Sequence, residues 1–370
     1  SGAGDRGGRD PGGKDFYGPT TWRFRYTMDV PLWIWIATII GVAALLVFDF
    51  YSHVKTPHEP TLKEAGIWSA VYISLALIFG VGLWWVWGGD HGLEYFAGFL
   101  TEKSLSVDNL FVFLLIMSTF AVPKQYQQKV LLIGVAIAIV MRGIFIAAGA
   151  AIIENFAWVF YIFGIFLLYT GWKLASSGEE EDDEYHENAF IRFIRRIFPV
   201  TEGYVDDKMF VVRNGRRLIT PMAIVMLAIG STDLLFAFDS IPAIFGLTQE
   251  PYIVFTANAW ALLGLRQLYF LLGGLLQRLV YLSYGLAFIL VWIGIKLIIH
   301  AMHTNEVPFI NGGEHITFIP EIPTWLSLLV ILGTITVAAV FSLRKTANEP
   351  PSEHPAPAQH THADEAASHQ

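Results

Sequence analysis

Four carboxylates stand where the rest of the chain is apolar, and they come in two pairs of like spacing. Glu102 and Asp108 belong to Glu102-Lys-Ser-Leu-Ser-Val-Asp108-Asn109, which runs straight into Leu110-Phe-Val-Phe-Leu-Leu. Asp233 and Asp239 belong to Asp233-Leu-Leu-Phe-Ala-Phe-Asp239-Ser240-Ile-Pro242. An ionised carboxylate at mid-bilayer costs about 2.5–3.5 kcal/mol on insertion scales, so four of them burden the fold by roughly 10 kcal/mol or more. Acids retained at such a cost mark ion or proton pathways. Ser106, Asn109, Thr232 and Ser240 add hydroxyl and amide oxygens beside them. Hard divalent cations (Mn²⁺, Ca²⁺, Mg²⁺) take such oxygen ligands, and the absence of His and Cys from both segments argues against zinc or copper. Oxygen ligands alone do not choose among the three.

Four carboxylates exceed the charge of one divalent cation. Protons, or the basic residues Arg142, Arg266, Lys296 and Lys103, must meet the excess. Like charges packed together bind protons more readily, which is the chemistry an exchanger of metal for protons needs. The bland alternative is that the acids are buried ion pairs with the arginines and hold helices together. Buried pairs are a poor source of net stability, which disfavours that role for two like sets. Arg142 and Arg266, taken singly, fit a helix–helix salt bridge as well as a transport counter-charge.

The elements that must position these residues are membrane spans. Of the 370 residues, 54% are hydrophobic and 15% charged, the balance of a polytopic helical membrane protein. Apolar runs long enough to cross about 30 Å of hydrocarbon recur along the chain. They predict an all-α fold with nine spans, at 31–50, 67–87, 94–119, 128–152, 156–175, 219–246, 252–275, 279–300 and 323–343. The transmembrane domain then covers 31–343. It is flanked by a disordered Gly/Asp/Arg-rich segment 1–30 and a disordered Pro/Ala/Glu/His-rich tail 344–370.

The spans repeat. Asp108-Asn-Leu-Phe-Val-Phe echoes Asp239-Ser-Ile-Pro-Ala-Ile, Met141-Arg142-Gly-Ile-Phe echoes Leu265-Arg266-Gln-Leu-Tyr-Phe, and Tyr161–Leu174 echoes Tyr284–Leu297. The offsets are 131, 124 and 123 residues, so the likeness persists through three consecutive spans. Repeat A covers about 94–175 and repeat B about 219–300. An odd number of spans per unit and one joining loop make the repeat inverted, a construction that places a transport site midway between the halves. Chance likeness among Leu/Ile/Phe-rich helices is the competing explanation, and acid, Arg and Lys recurring in the same order weaken it. Acids six residues apart lie about 120° apart on a regular helix, so an unbroken helix cannot aim both at one ligand. Ser104, Ser106, Asn109, Gly230, Ser231, Thr232, Ser240 and Pro242 tolerate unwinding, and the third and sixth spans are accordingly expected to be broken or bent.

The charged loop 176–218 holds Glu179-Glu-Glu-Asp-Asp-Glu184 and then Arg192, Arg195, Arg196, Arg213, Arg216 and Arg217. Putting it in the cytoplasm places most Lys and Arg inside, with the N-terminus outside and the C-terminus cytoplasmic in a bacterial inner membrane. Cations in the N-terminal segment run against that orientation. His300-x-x-His303, His315 and the tail histidines His354, His360, His362 and His369 read as interfacial or linker residues. No P-loop, Gly-x-Ser-x-Gly or His-Glu-x-x-His signature is present, and nothing suggests nucleic-acid binding or a permanently bound cofactor. With no cysteine, disulfides and thiolate metal sites are excluded.

The string Leu93-Glu-Tyr-Phe-Ala-Gly-Phe-Leu-Thr-Glu102-Lys-Ser-Leu-Ser-Val-Asp108-Asn-Leu-Phe-Val-Phe resembles the hallmark segment of the TerC family of integral membrane proteins. So do Asp233-x5-Asp239-Ser-Ile-Pro-Ala and Asn258-Ala-Trp-Ala-Leu-Leu-Gly-Leu-Arg266-Gln-Leu-Tyr-Phe. The resemblance covers roughly residues 30–345. That family includes Alx-type manganese exporters and proteins named for tellurite resistance. The resemblance therefore implies cation efflux with Mn²⁺ as leading substrate, and transport acids at Glu102, Asp108, Asp233 and Asp239. Tellurite itself fits poorly, since carboxylates repel an oxyanion. The expected function is a secondary exporter of a divalent cation, in exchange for protons, and not an enzyme. Its partners are the bilayer, the cation and protons. The alternative is a partner-dependent membrane factor, docking through loop 176–218 on secretion machinery or a stress complex.

Overall fold

The computed structural model describes residues 28–54, 61–176, 191–192, 196, 199–201, 203–205, 208–213, 216–272, 281–305, 307–308, 310–316 and 318–348. Most of the expected terminal segments 1–30 and 344–370, and most of loop 176–218, lie outside these residues, as does the side chain of Asp108.

The elements run α1 (Leu32–Asp49), α2 (Leu62–Trp87), α3 (Gly89–Thr119), α4 (Lys124–Asn155), α5 (Val159–Ser176), β1 (Phe210–Arg213), β2 (Arg216–Ile219), α6 (Pro221–Phe245), α7 (Pro251–Leu262), α8 (Leu265–Leu272), α9 (Leu282–His303) and α10 (Thr324–Asn348). Among the described residues, seven helices are long and apolar enough to cross a membrane: α1, α2, α4, α5, α6, α9 and α10. In hydrocarbon every backbone group must be satisfied within the segment, which is why the apolar runs resolve into helices. Two expected spans depart from that description. The third is α3, a continuous 31-residue helix that carries Asp90, Glu94, Glu102, Lys103 and Asp108. The seventh is divided into α7 and α8, each too short to span.

The breaks expected in the third and sixth spans are corrected here: α3 and α6 are each unbroken. Their polar residues are satisfied by the helix itself. Thr101 Oγ1 donates to Ala97 O at 2.8 Å, Ser104 Oγ to Leu100 O at 2.7 Å and Ser231 Oγ to Ala228 O at 3.1 Å. Pro242, in the last turn of α6, cannot donate to Phe238 O, yet the helix runs on through it to Phe245. The break lies at Leu263-Gly264 instead. Gly264 has φ +79°, and a Cβ there would lie 2.9 Å from Tyr72 Cβ, so both the backbone and α2 demand glycine. Carbonyls freed at the end of α7 need donors, and Lys103 Nζ donates to Ala261 O at 3.1 Å.

Helix starts follow ordinary capping. The Thr61 side chain accepts from Glu64 N at the head of α2, and Thr220 accepts from Ala223 N before Pro221 opens α6. The short β1–β2 hairpin, in register Val211 with Leu218, adds an element that a purely helical reading lacked. Tyr204 OH ties this region to the end of α3 by donating to Phe120 O at 2.7 Å.

Helices α3 and α7, α4 and α6, and α5 and α9 form the principal packed pairs. Trp33, Ile40, Trp85, Ile165 and Trp172 are exposed, an apolar outer surface suited to lipid. The α5–α9 contact depends on small residues: a Cβ at Gly164 would lie 3.0 Å from Gly294 O, and one at Gly171 would lie 2.8 Å from Ala287 O. Because the clash is with backbone, Gly164→Val is expected to destabilise the bundle by about 1–3 kcal/mol. Thermal unfolding in detergent reads this as a lowered Tm; an unchanged Tm would contradict this packing.

Candidate functional site

Near the midpoints of α3, α4 and α6, one arginine gathers the buried charges. Arg142, on α4, presents Nε to Asp233 Oδ2 and Nη2 to Asp233 Oδ1, both at 3.0 Å. Its Nη1 donates to Glu102 Oε1, to Ser240 Oγ at 3.1 Å and to Asn258 Oδ1 at 2.9 Å. Residues from α3, α4, α6 and α7 therefore meet on a single guanidinium. None of Arg142, Glu102, Asp233, Ser240 and Asn258 exceeds 2% exposure. The fork-like pairing with Asp233 is the geometry for which guanidinium is suited.

Two oxygens of this region have no hydrogen-bond partner, Glu102 Oε2 and Ser106 Oγ. They lie one turn apart on α3 and so share a face. Buried polar atoms are rarely left unpaired. Two carboxyl groups face one guanidinium here, with one carboxyl oxygen left over, an arrangement of oxygens suited to a cation.

The other expected residues lie elsewhere. Asp239 is half-buried and accepts from Thr170 Oγ1 on α5 at 3.2 Å, away from the Arg142 cluster. The unbroken helix thus turns Asp233 and Asp239 to different neighbours, as six-residue spacing requires. Asn109 and Thr232 are buried beside their acids. Asp108 lies on α3, its side chain outside the described residues. Among the described residues, no three His, Asp or Glu side chains are placed to hold a metal ion.

Arg266 does not join the four acids. Its Nε donates to Asp49 Oδ2 at 3.1 Å and its Nη2 to Asp49 Oδ1 at 2.7 Å, while Nη1 donates to Gln128 Oε1. Gln267 Nε2 adds a bond to Asp49 Oδ1 at 3.0 Å. This buried lock joins α1, α4 and α8 toward the end of the bundle that carries the hairpin. Lys296 lies toward the opposite end. There a cavity of about 480 Å³ is lined by Glu94, Glu154, Glu250, Lys296, His300 and Glu321 among others. His300 Nδ1 stands 3.1 Å from Glu321 Oε1, and that hydrogen bond first of all holds Glu321 below the usual carboxylate range.

Sequence reasoning missed Asn258 and Asp49 as functional or structural partners. Asn258 heads one of the motifs quoted above but was given no role there, and Asp49 lies inside the first expected span without having been singled out.

Among the described residues, seven helices long and apolar enough to cross a membrane, with an apolar outer surface around a buried charged centre, point to an integral membrane protein. The family model for the integral membrane protein TerC family matches residues 87–349, and the chain belongs to that family. An uncharacterized membrane protein of Mycobacterium tuberculosis is 50% identical over 313 residues, 83% of this chain and 79% of that protein. An uncharacterized membrane protein of Myxococcus xanthus is 41% identical over 324 residues, 88% of this chain and 96% of its own length. The putative membrane-bound redox modulator Alx of Escherichia coli K12 is 41% identical over 282 residues, 74% of this chain and 87% of its own. No solved structure matches the chain.

Removing one partner of a buried ion pair costs about 3–5 kcal/mol, because a charge is left uncompensated. Asp49→Asn is therefore expected to lower the Tm of the detergent-purified protein by a corresponding amount. A Tm equal to that of the wild type would show that the Asp49–Arg266 lock does not hold α1.

Proposed function

We propose that the chain is a secondary transporter that exports a divalent cation, Mn²⁺ foremost, from the cytoplasm in exchange for protons. The observation that carries this reading is the convergence of Glu102 and Asp233, from α3 and α6, on one buried point. Family membership supports it, and oxygen-only ligands suit Mn²⁺ better than zinc or copper. A cation entering from the cytoplasm meets these acids midway. The emptied carboxylates then need positive charge to return through a low-dielectric interior, and protons supply what Arg142 beside them does not. Asp108 and Asp239, one on each motif, serve as the flanking acids of the path.

The proposed architecture has nine spans, with α3 and the interrupted α7–α8 segment counted as the two crossings beyond the seven apolar helices. It is an inverted repeat of α3–α5 and α6–α9, set in the bacterial inner membrane with the N-terminus outside and the C-terminus cytoplasmic. The packing supports the repeat. Exchanging the two units maps the α3–α7 contact onto the α6–α4 contact. At the α5–α9 crossing it maps Gly164 against Gly294 onto Ala287 against Gly171. The name of the Escherichia coli relative speaks of redox modulation. Applied here, such a role runs through cations rather than thiols, since these residues include no cysteine.

The test is Mn²⁺ flux into proteoliposomes holding the purified protein under an imposed pH gradient. Glu102→Gln, Asp233→Asn, Asp108→Asn and Asp239→Asn are each expected to cut proton-coupled flux at least tenfold at unchanged protein content. Normal flux in both Glu102→Gln and Asp233→Asn would reject the site. No flux of Mn²⁺ or Ca²⁺ by a well-folded wild type would reject transport in favour of a partner-dependent role.

A further inference from the structure

The Arg142 guanidinium and a transported cation would have the same use for the same oxygens. Five acceptor oxygens converge on one side chain: two from Asp233 and one each from Glu102, Ser240 and Asn258. Carboxylate, amide and hydroxyl oxygens of this kind are also the ligands of a hard divalent cation, which takes about six to eight of them. All five oxygens are buried and engaged by the guanidinium, so a cation that took them would displace it. A guanidinium cancels one of the two carboxylate charges, whereas a divalent cation cancels both.

The unused atoms point the same way. Glu102 Oε2 has no partner although Oε1 does, and Ser106 Oγ, one turn further along α3, has none either. A permanent structural bridge would be expected to satisfy its acceptors. A cation seated against both oxygens of Glu102 uses the one that Arg142 leaves idle.

We propose that Arg142 is a tethered competitor that occupies the cation's place in this conformation. Glu102, Asp233, Ser240 and Asn258 form one oxygen cage that holds either the guanidinium or a single divalent cation. The inference rests on the reading of Glu102 and Asp233 as transport acids, and it adds Asn258 to the ligand set. It also gives Arg142 a purpose that bundle stability does not. With the ion gone, two unpaired carboxylates in a dry interior would be prohibitively costly, and Arg142 keeps the empty cage neutralised to within one charge. With the ion present, the competing guanidinium weakens binding, and a transported ion has to be held loosely enough to leave.

The experiment is calorimetric titration of the purified full-length protein with MnCl₂, for the wild type, Arg142→Lys, Arg142→Gln, Glu102→Gln and Asp233→Asn. Lysine retains the positive charge but loses the bidentate fork, so Arg142→Lys is expected to bind Mn²⁺ severalfold more tightly than the wild type. Arg142→Gln removes the competitor and is expected to bind at least tenfold more tightly. If Arg142→Gln does not fold, Arg142→Lys decides. Equal or weaker binding by a folded Arg142→Lys overturns the competition. Binding by that variant where the wild type shows none supports it, and binding by neither overturns it. Glu102→Gln and Asp233→Asn are expected to lose binding. If both bind as the wild type does, the assignment of the acids has failed, whatever the arginine variants do.

Discussion

The centre of this protein is held by one guanidinium. Arg142 reaches from α4 to acids on α3 and α6 and to an amide on α7, in a place buried from the outer surface. An ion pair of this depth gains little stability over apolar packing, because desolvation consumes most of the Coulombic attraction. Its persistence is therefore a statement about what the helices are for rather than about what keeps them folded. Packing is left to the apolar contacts, and to glycines that let α5 and α9 touch backbone to backbone.

The two halves use their repeat-related arginines differently. Arg142 lies among the acids, whereas Arg266 is turned to Asp49 on α1, outside either unit. The glycine break before Arg266 is the local cause. With Gly264 at φ +79°, α8 leaves the line of α7 and carries its arginine toward α1 and α4. Like sequence segments thus give unlike ends: a buried lock toward the hairpin end, and toward the other a polar cavity lined by Glu94, Lys296 and Glu321.

Much of the site was legible in the sequence because charge in an apolar run has few innocent explanations. Glu102, Asp233, Ser240 and Arg142 were all singled out by that contrast, and all meet. The six-residue spacing was read as a sign that the helix breaks; it stays whole, and Asp233 and Asp239 face different neighbours. Where the reading failed, it took local polarity for a break. Serine and threonine in α3 and α6 bond back to their own helix, so the chain stays helical there. The real break is at Gly264, where φ is +79° and where Tyr72, far away in sequence, leaves no room for a side chain. Asp49 and the role of Asn258 were missed for a related reason: a single polar residue in an apolar run acquires its meaning only from the partner that folding brings to it.

The central claim is that Glu102 and Asp233 are ligands of the transported cation. Anomalous diffraction from crystals of the full chain soaked in MnCl₂ tests it most directly. The account predicts an Mn²⁺ peak between the Glu102 and Asp233 carboxylates, with the Arg142 guanidinium withdrawn from both. A peak confined to the cavity beside Lys296, with Arg142 still bridging the two acids, would contradict it.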